Sequence, residues 1–125
     1  MDTHALLWYV LDDARLSVVA RRAIDALESQ VRVSPASYWE IAIKISLGKY
    51  LLAVPYGEFW KRAIDDNGFE ILPIEVRHTE ALIEMPYRDH RDPFDRLLAA
   101  QALAEQIAIV SADARLEQYG VERIW

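Results

Sequence analysis

The run from Asp92 to Ala104, DPFDRLLAAQALA, reads as a buried helix. Leu97, Leu98, Ala99, Ala100, Ala102, Leu103 and Ala104 are apolar nearly all the way round a helical wheel. No face is left for water, so other elements must cover the segment on several sides. Pro93 suits the first helical position, where an amide N–H has no helical partner in any case. This makes Asp92 the N-cap and puts Asp95 in the first turn. The ordinary use of two such acids is structural: Asp92 caps and Asp95 completes a capping box.

The rest of the chain supplies the covering elements. His4 to Leu11 reads as a helix with Leu6, Leu7 and Val10 turned inward, and Asp2 stands just ahead of it. Ser17 caps a second helix whose apolar positions are Val18, Ala20, Ile24 and Leu27. Val31 to Val33 is a short strand, and Ser34-Pro35 turns it into a third helix, Ala36 to Gly48. A fourth helix, Glu58 to about Asp66, is stopped by Asn67-Gly68. Phe69 to Leu72 is a strand ended by Pro73, and Val76 to Glu84 is a helix ended by Met85-Pro86. Arg88, Asp89, His90 and Arg91 form a polar loop into the central helix. Ile107 to Val110 is a buried strand, Ala114 to Tyr119 a short helix closed by Gly120, and Val121 to Trp125 an edge strand.

These strands are continuous apolar runs rather than alternating ones, and helices separate them. That pattern predicts an α/β fold: one domain over residues 1–125, a central parallel sheet of about four to five strands, and helices on both faces. Right-handed crossovers bring the C-terminal ends of parallel strands to one edge of the sheet, where ligands bind. Asp2, Glu40, Asp95 and Asp113 all follow a strand end or lie early in a helix. Each has a structural use: Asp2 and Asp113 (or Ser111) as caps, Glu40 as the i,i+4 partner of Lys44. Several acids aimed at one crevice repel one another, however, and the usual remedy is a hard cation, Mg²⁺ or Mn²⁺. The absence of cysteine excludes disulfides and thiolate metal sites and suits a reducing cytoplasm. A net charge of −6 argues against a general nucleic-acid coat protein but not against an enzyme with its acids in one pocket. No apolar run approaches the roughly 20 residues of a membrane helix, so no membrane association is expected.

Four segments together resemble the PIN-domain family, most closely its VapC-type toxin branch. They are Asp2-Thr3-His4-Ala5-Leu6-Leu7-Trp8, Trp39-Glu40-Ile41-Ala42, Asp92-Pro93-Phe94-Asp95-Arg96-Leu97-Leu98-Ala99-Ala100-Gln101-Ala102 and Ser111-Ala112-Asp113. The resemblance spans essentially the whole chain; each motif is weak alone and the ordered set is specific. It implies a metal-dependent endoribonuclease acting on single-stranded RNA, with Asp2, Glu40, Asp95 and Asp113 as its four acids. Ser111, before the fourth acid, would support the site, together with Thr3 and Asp92. It further implies a VapB-like antitoxin that blocks the site, and a homodimer. Asp2 and Asp95 are the expected direct ligands of Mg²⁺ or Mn²⁺. Glu40 and Asp113 would bind through water, complete a second metal site or orient the nucleophile. RNA would be held by Lys44, Lys49, Arg88, Arg91 and Arg96. The family places a short apolar strand before its first acid, where only Met1 stands here, so the natural chain is expected to begin upstream. An apolar groove near Trp39 and Trp60 is expected to receive an antitoxin helix.

Two other classes fit less of the sequence. A phosphatase-like domain with an Asp nucleophile would want a second acid two residues on, and Asp2-Thr3-His4 lacks it. A non-catalytic, Mg²⁺-binding α/β signalling or interaction module of the receiver kind would want an acidic pair after the first strand and a lysine after the last.

Overall fold

The computed structural model describes residues 1–86 and 92–125. Among these, α-helices run over Thr3–Val10 (α1), Val18–Asp25 (α2), Pro35–Ser46 (α3), Tyr56–Ile64 (α4), Val76–Glu84 (α5) and Pro93–Glu105 (α6), with a 3-10 helix over Ala114–Tyr119. Strands are Arg32–Val33 (β1), Glu70–Ile71 (β2), Ile109–Val110 (β3) and Arg123–Ile124 (β4).

Local chemistry starts most of these helices where the sequence puts a small polar residue. Ser17 accepts from Ala20 N–H at 3.0 Å and Ser34 from Ala36 N–H at 3.1 Å. Pro35 and Pro93 each occupy the first turn behind a capping side chain. At the far end of α6, Gln106 adopts a left-handed conformation (φ 54°) that turns the chain sharply into β3. The central helix is buried as its composition requires: Leu98, Ala99, Ala100, Gln101 and Ala102 are all inaccessible to water.

The sheet departs from expectation. Both strand pairs are parallel, β1 with β2 and β3 with β4, but they form two separate two-stranded sheets rather than one of four to five strands. Backbone from Met1 and Asp2 joins them. The Met1 amine donates to Arg32 O at 3.0 Å on one side, and Asp2 N–H donates to Val110 O at 2.9 Å on the other. One bond to each neighbour is too few to make a ladder, so the sheet is bridged there rather than continuous. Burial pushes the Met1 amine pKa down from its ordinary value.

Successive strand residues face opposite ways. Ile109 therefore enters a cluster with Leu98, Ala99, Leu116 and Tyr119, while Val110 packs against one formed by Ala5, Leu16, Ala20 and Ile24. A third cluster joins Leu6, Val33, Ile41, Phe59 and Trp60. Fully burying a side chain such as Leu6, Ile41 or Leu116 stabilises by about 1.5–3 kcal/mol. The second helix is shorter than its apolar pattern suggested. It ends at Asp25, holds the core through Ala20 and Ile24, and leaves Val18 and Leu27 exposed.

A polar joint closes the α5–α6 pair. His78 is fully buried; its Nδ1 accepts from Glu75 N–H at 3.0 Å, and its Nε2 lies 2.9 Å from a Glu105 oxygen. With Nδ1 as acceptor, neutral His78 carries its proton on Nε2 and donates it to Glu105. Arg77 and Arg32 reach the same carboxylate at 2.7 and 3.6 Å. The His78 hydrogen bond, with smaller help from Arg77 and Arg32, holds the Glu105 carboxyl pKa below its usual value.

Candidate active site

Asp2, Asp92 and Asp113 are all caps, as the simplest reading of an acid before a helix requires. Asp2 is buried and accepts from Ala5 N–H at 2.7 Å. Asp92 accepts from Phe94 N–H at 2.9 Å and, more weakly, from Asp95 N–H at 3.3 Å. Asp113 accepts from Arg115 N–H at 2.9 Å, and its own N–H donates to Ser111 Oγ at 3.0 Å. Ser111, fully buried, thus fixes the backbone of Asp113. The Thr3 hydroxyl donates to Ser37 Oγ at 3.0 Å, tying the start of α1 to the start of α3.

Glu40 lies one turn beyond Ser37 on α3, nearly buried, and its carboxylate meets Lys44 Nζ at 2.6 Å. Lys44 in turn sits 3.3 Å from His4 Nε2 on α1. Trp39 crosses to α6, its ring edge-on to Phe94 with centroids 5.5 Å apart. The guanidinium of Arg115 lies close enough to Asp95 and Asp92 to feel both charges, though its neighbour Asp113 does most to raise its pKa. A series of contacts therefore runs from α1 to α3, from α3 to the first turn of α6, and from there to the 3-10 helix. Asp2 and Asp113 cap the elements so linked, Asp95 lies in the first turn of α6, and Glu40 sits midway along α3.

The donor set is all carboxylate oxygen, the chemistry that Mg²⁺ and Mn²⁺ prefer. The acids are not gathered into a ready-made cage. Among the described residues no three of His, Cys, Asp and Glu stand close enough to hold one ion. Among the described residues, Glu40 is paired with Lys44 and Asp113 with Arg115.

A match to the PIN domain covers residues 1–122. The chain belongs to the PIN-domain family. This PIN domain is also similar to a protein of Mycobacterium tuberculosis named Ribonuclease VapC22. The two are 25% identical over 119 residues, covering 95% of this chain and 89% of the relative.

The cationic residues assigned to RNA fare unevenly. Lys44 is committed to Glu40, and Lys49 is exposed just beyond α3. Arg96 reaches Pro86 O at 3.4 Å and lies over the Tyr119 ring. Arg88 and Arg91 fall outside the described residues. Sequence reasoning missed Arg115; its signal was an arginine two residues after an acid, a spacing that lets the guanidinium fold back onto the carboxylate. Trp60 is core, and Trp39 is 64% exposed beside Phe94. A separate groove of about 500 Å³ is lined by Val10, Leu11, Leu51, Leu52, Val54 and Phe59, with Arg62, Asp66 and Asn67 also on its wall. Among the described residues no helix is long and apolar enough to cross a membrane.

Proposed function

We propose that this PIN domain is a VapC-type toxin, a divalent-cation-dependent endoribonuclease that cleaves single-stranded RNA and is neutralised by a cognate VapB-like antitoxin. The observation that carries the reading is that Asp2 and Asp113 cap, Asp95 opens and Glu40 sits midway along elements linked to one another, in a chain with PIN-family ancestry. Similarity to a relative named as a ribonuclease supports RNA as the substrate. A bound Mg²⁺ or Mn²⁺ would lower the pKa of a water and polarise the phosphodiester.

The roles of the chain's own residues follow from their positions. Asp2 and Asp95 are the direct ligands, and Glu40 and Asp113 complete the site once their own cations are released. Ser111 holds the Asp113 backbone, and Thr3 fixes α1 against α3. Lys49 and Arg96 supply positive charge for the RNA backbone. The groove beside Phe59 is the surface assigned to an amphipathic antitoxin helix, and the working unit is a homodimer in the cytoplasm.

The test is digestion of single-stranded RNA by the purified protein with Mg²⁺ or Mn²⁺, with and without chelator. The wild type should cleave only with the cation, and Asp95→Asn should be inactive. Cleavage that persists in excess chelator overturns the cation dependence; no cleavage under any condition overturns the ribonuclease reading. An Asp95→Asn variant that cleaves at the wild-type rate removes Asp95 as third acid and puts Asp92 in its place.

A further inference from the structure

Asp113-Ala114-Arg115-Leu116 repeats Asp13-Ala14-Arg15-Leu16 residue for residue. The two copies fold alike. In each, the carboxylate accepts from the backbone N–H of the arginine two residues on, at 2.9 Å. In each, the guanidinium then returns to the same carboxylate: Nε to Oδ1 at 3.0 Å in the first copy and 2.9 Å in the second, and Nη2 to Oδ2 at 2.6 Å in both. The tetrapeptide therefore encodes the clamp locally.

An ionised carboxylate offers about four lone-pair sites. At Asp113 the backbone N–H and Nε fall on Oδ1, and Nε and Nη2 fall on Oδ2. Both oxygens of Asp113 are therefore engaged by Arg115. The settings of the two copies differ. Arg115 lies in the field of Asp95 and Asp92 as well as Asp113, whereas Arg15 has Asp13 and Tyr50.

We infer that Arg115 is a built-in counter-ion of Asp113 and competes with a divalent cation for its oxygens. The inference rests on the cation-dependent reading above. Arg115 neutralises Asp113, and a divalent cation entering there displaces it. The side chain is 67% exposed, so it can swing into water without breaking any core packing. An exposed ion pair is weak, so the competition sets the cation affinity without abolishing it. Arg15, in the same clamp away from these acids, is the internal control.

Calorimetric titration of Mn²⁺ into the full chain tests this without reference to activity, using wild type, Arg115→Gln and Arg15→Gln at low salt. Arg115→Gln should bind about two- to fivefold more tightly than wild type, the range an exposed ion pair commands. Arg15→Gln should bind as wild type does. Equal or weaker binding by Arg115→Gln overturns the inference. So does equal tightening in Arg15→Gln, which would reduce the effect to net charge. Binding by none of the three proteins overturns the cation reading itself, whereas equal binding by wild type and Arg115→Gln overturns this inference alone.

Discussion

Replacing Lys44 by Met keeps the apolar stem and removes the charge that sits 2.6 Å from Glu40. Two unit charges about 4 Å apart interact by about 4 kcal/mol at an effective dielectric of about 20. Desolvation and side-chain ordering offset much of that. Fully exposed pairs net about 0–1 kcal/mol, while stranding one member of a buried pair costs about 3–5 kcal/mol. The Glu40 side chain is 11% exposed and that of Lys44 30%, between those limits and closer to burial on the acid's side. Lys44→Met should therefore cost about 2 kcal/mol. At about 2.1 cal/mol/K per residue, a chain of 125 residues unfolds with an entropy of about 0.26 kcal/mol/K, so the melting temperature should fall by about 8 °C. Glu40→Gln should cost less, because the stranded Lys44 can turn toward water. In the Glu40→Gln background, the Lys44→Met cost should shrink to about 0.5 kcal/mol or less, since no carboxylate is left to strand. Urea or thermal unfolding of the four proteins of this cycle gives the coupling directly. If Lys44→Met destabilises equally in both backgrounds, the lysine acts through its packed stem, and the charge argument fails.

Asp92→Ala should lose about 1 kcal/mol of stability, or about 4 °C, because it removes the cap on Phe94 and Asp95 N–H, yet it should retain RNA cleavage. Loss of cleavage at full stability would reverse the roles given to Asp92 and Asp95. His78→Ala should cost about 3 kcal/mol, from a buried cavity and two lost hydrogen bonds, one of them to a carboxylate. His78→Gln should recover part of that; a drop under about 1 kcal/mol for His78→Ala would show the joint to be incidental. The guanidinium of Arg15 pulls the Asp13 pKa from 3.8 to about 2. A depressed carboxyl pKa stabilises the fold above the unfolded value, and the gain is lost as pH falls through the folded one. Stability should therefore decline as pH drops from about 4 toward 2, and less steeply in Arg15→Gln; identical acid profiles for the two proteins would refute it.

Much of this fold is decided within three or four residues along the chain, which is why sequence alone determined it. Ser17, Ser34, Asp92 and Asp113 cap through bonds to amides two or three positions on, and Pro35 and Pro93 need only their own rings. The burial of α6 follows from its lack of a polar face, and the Glu40–Lys44 pair from one helical turn. The PIN-family motifs are likewise linear patterns, so family membership was legible before any coordinates. Tertiary structure decided what depends on partners far apart in sequence. Among the described residues, it split the sheet into two parallel pairs bridged by Met1 and Asp2, because pairing there rests on Arg32 and Val110 together. It put His78 of α5 against Glu105 of α6 and sent Trp60 into the core while Trp39 stayed out. It also separated two identical tetrapeptides into a surface clamp and a neighbour of Asp95 and Asp92. Local bonding is the same in both copies; the electrostatic field around each comes from the rest of the fold, and no local pattern carries it.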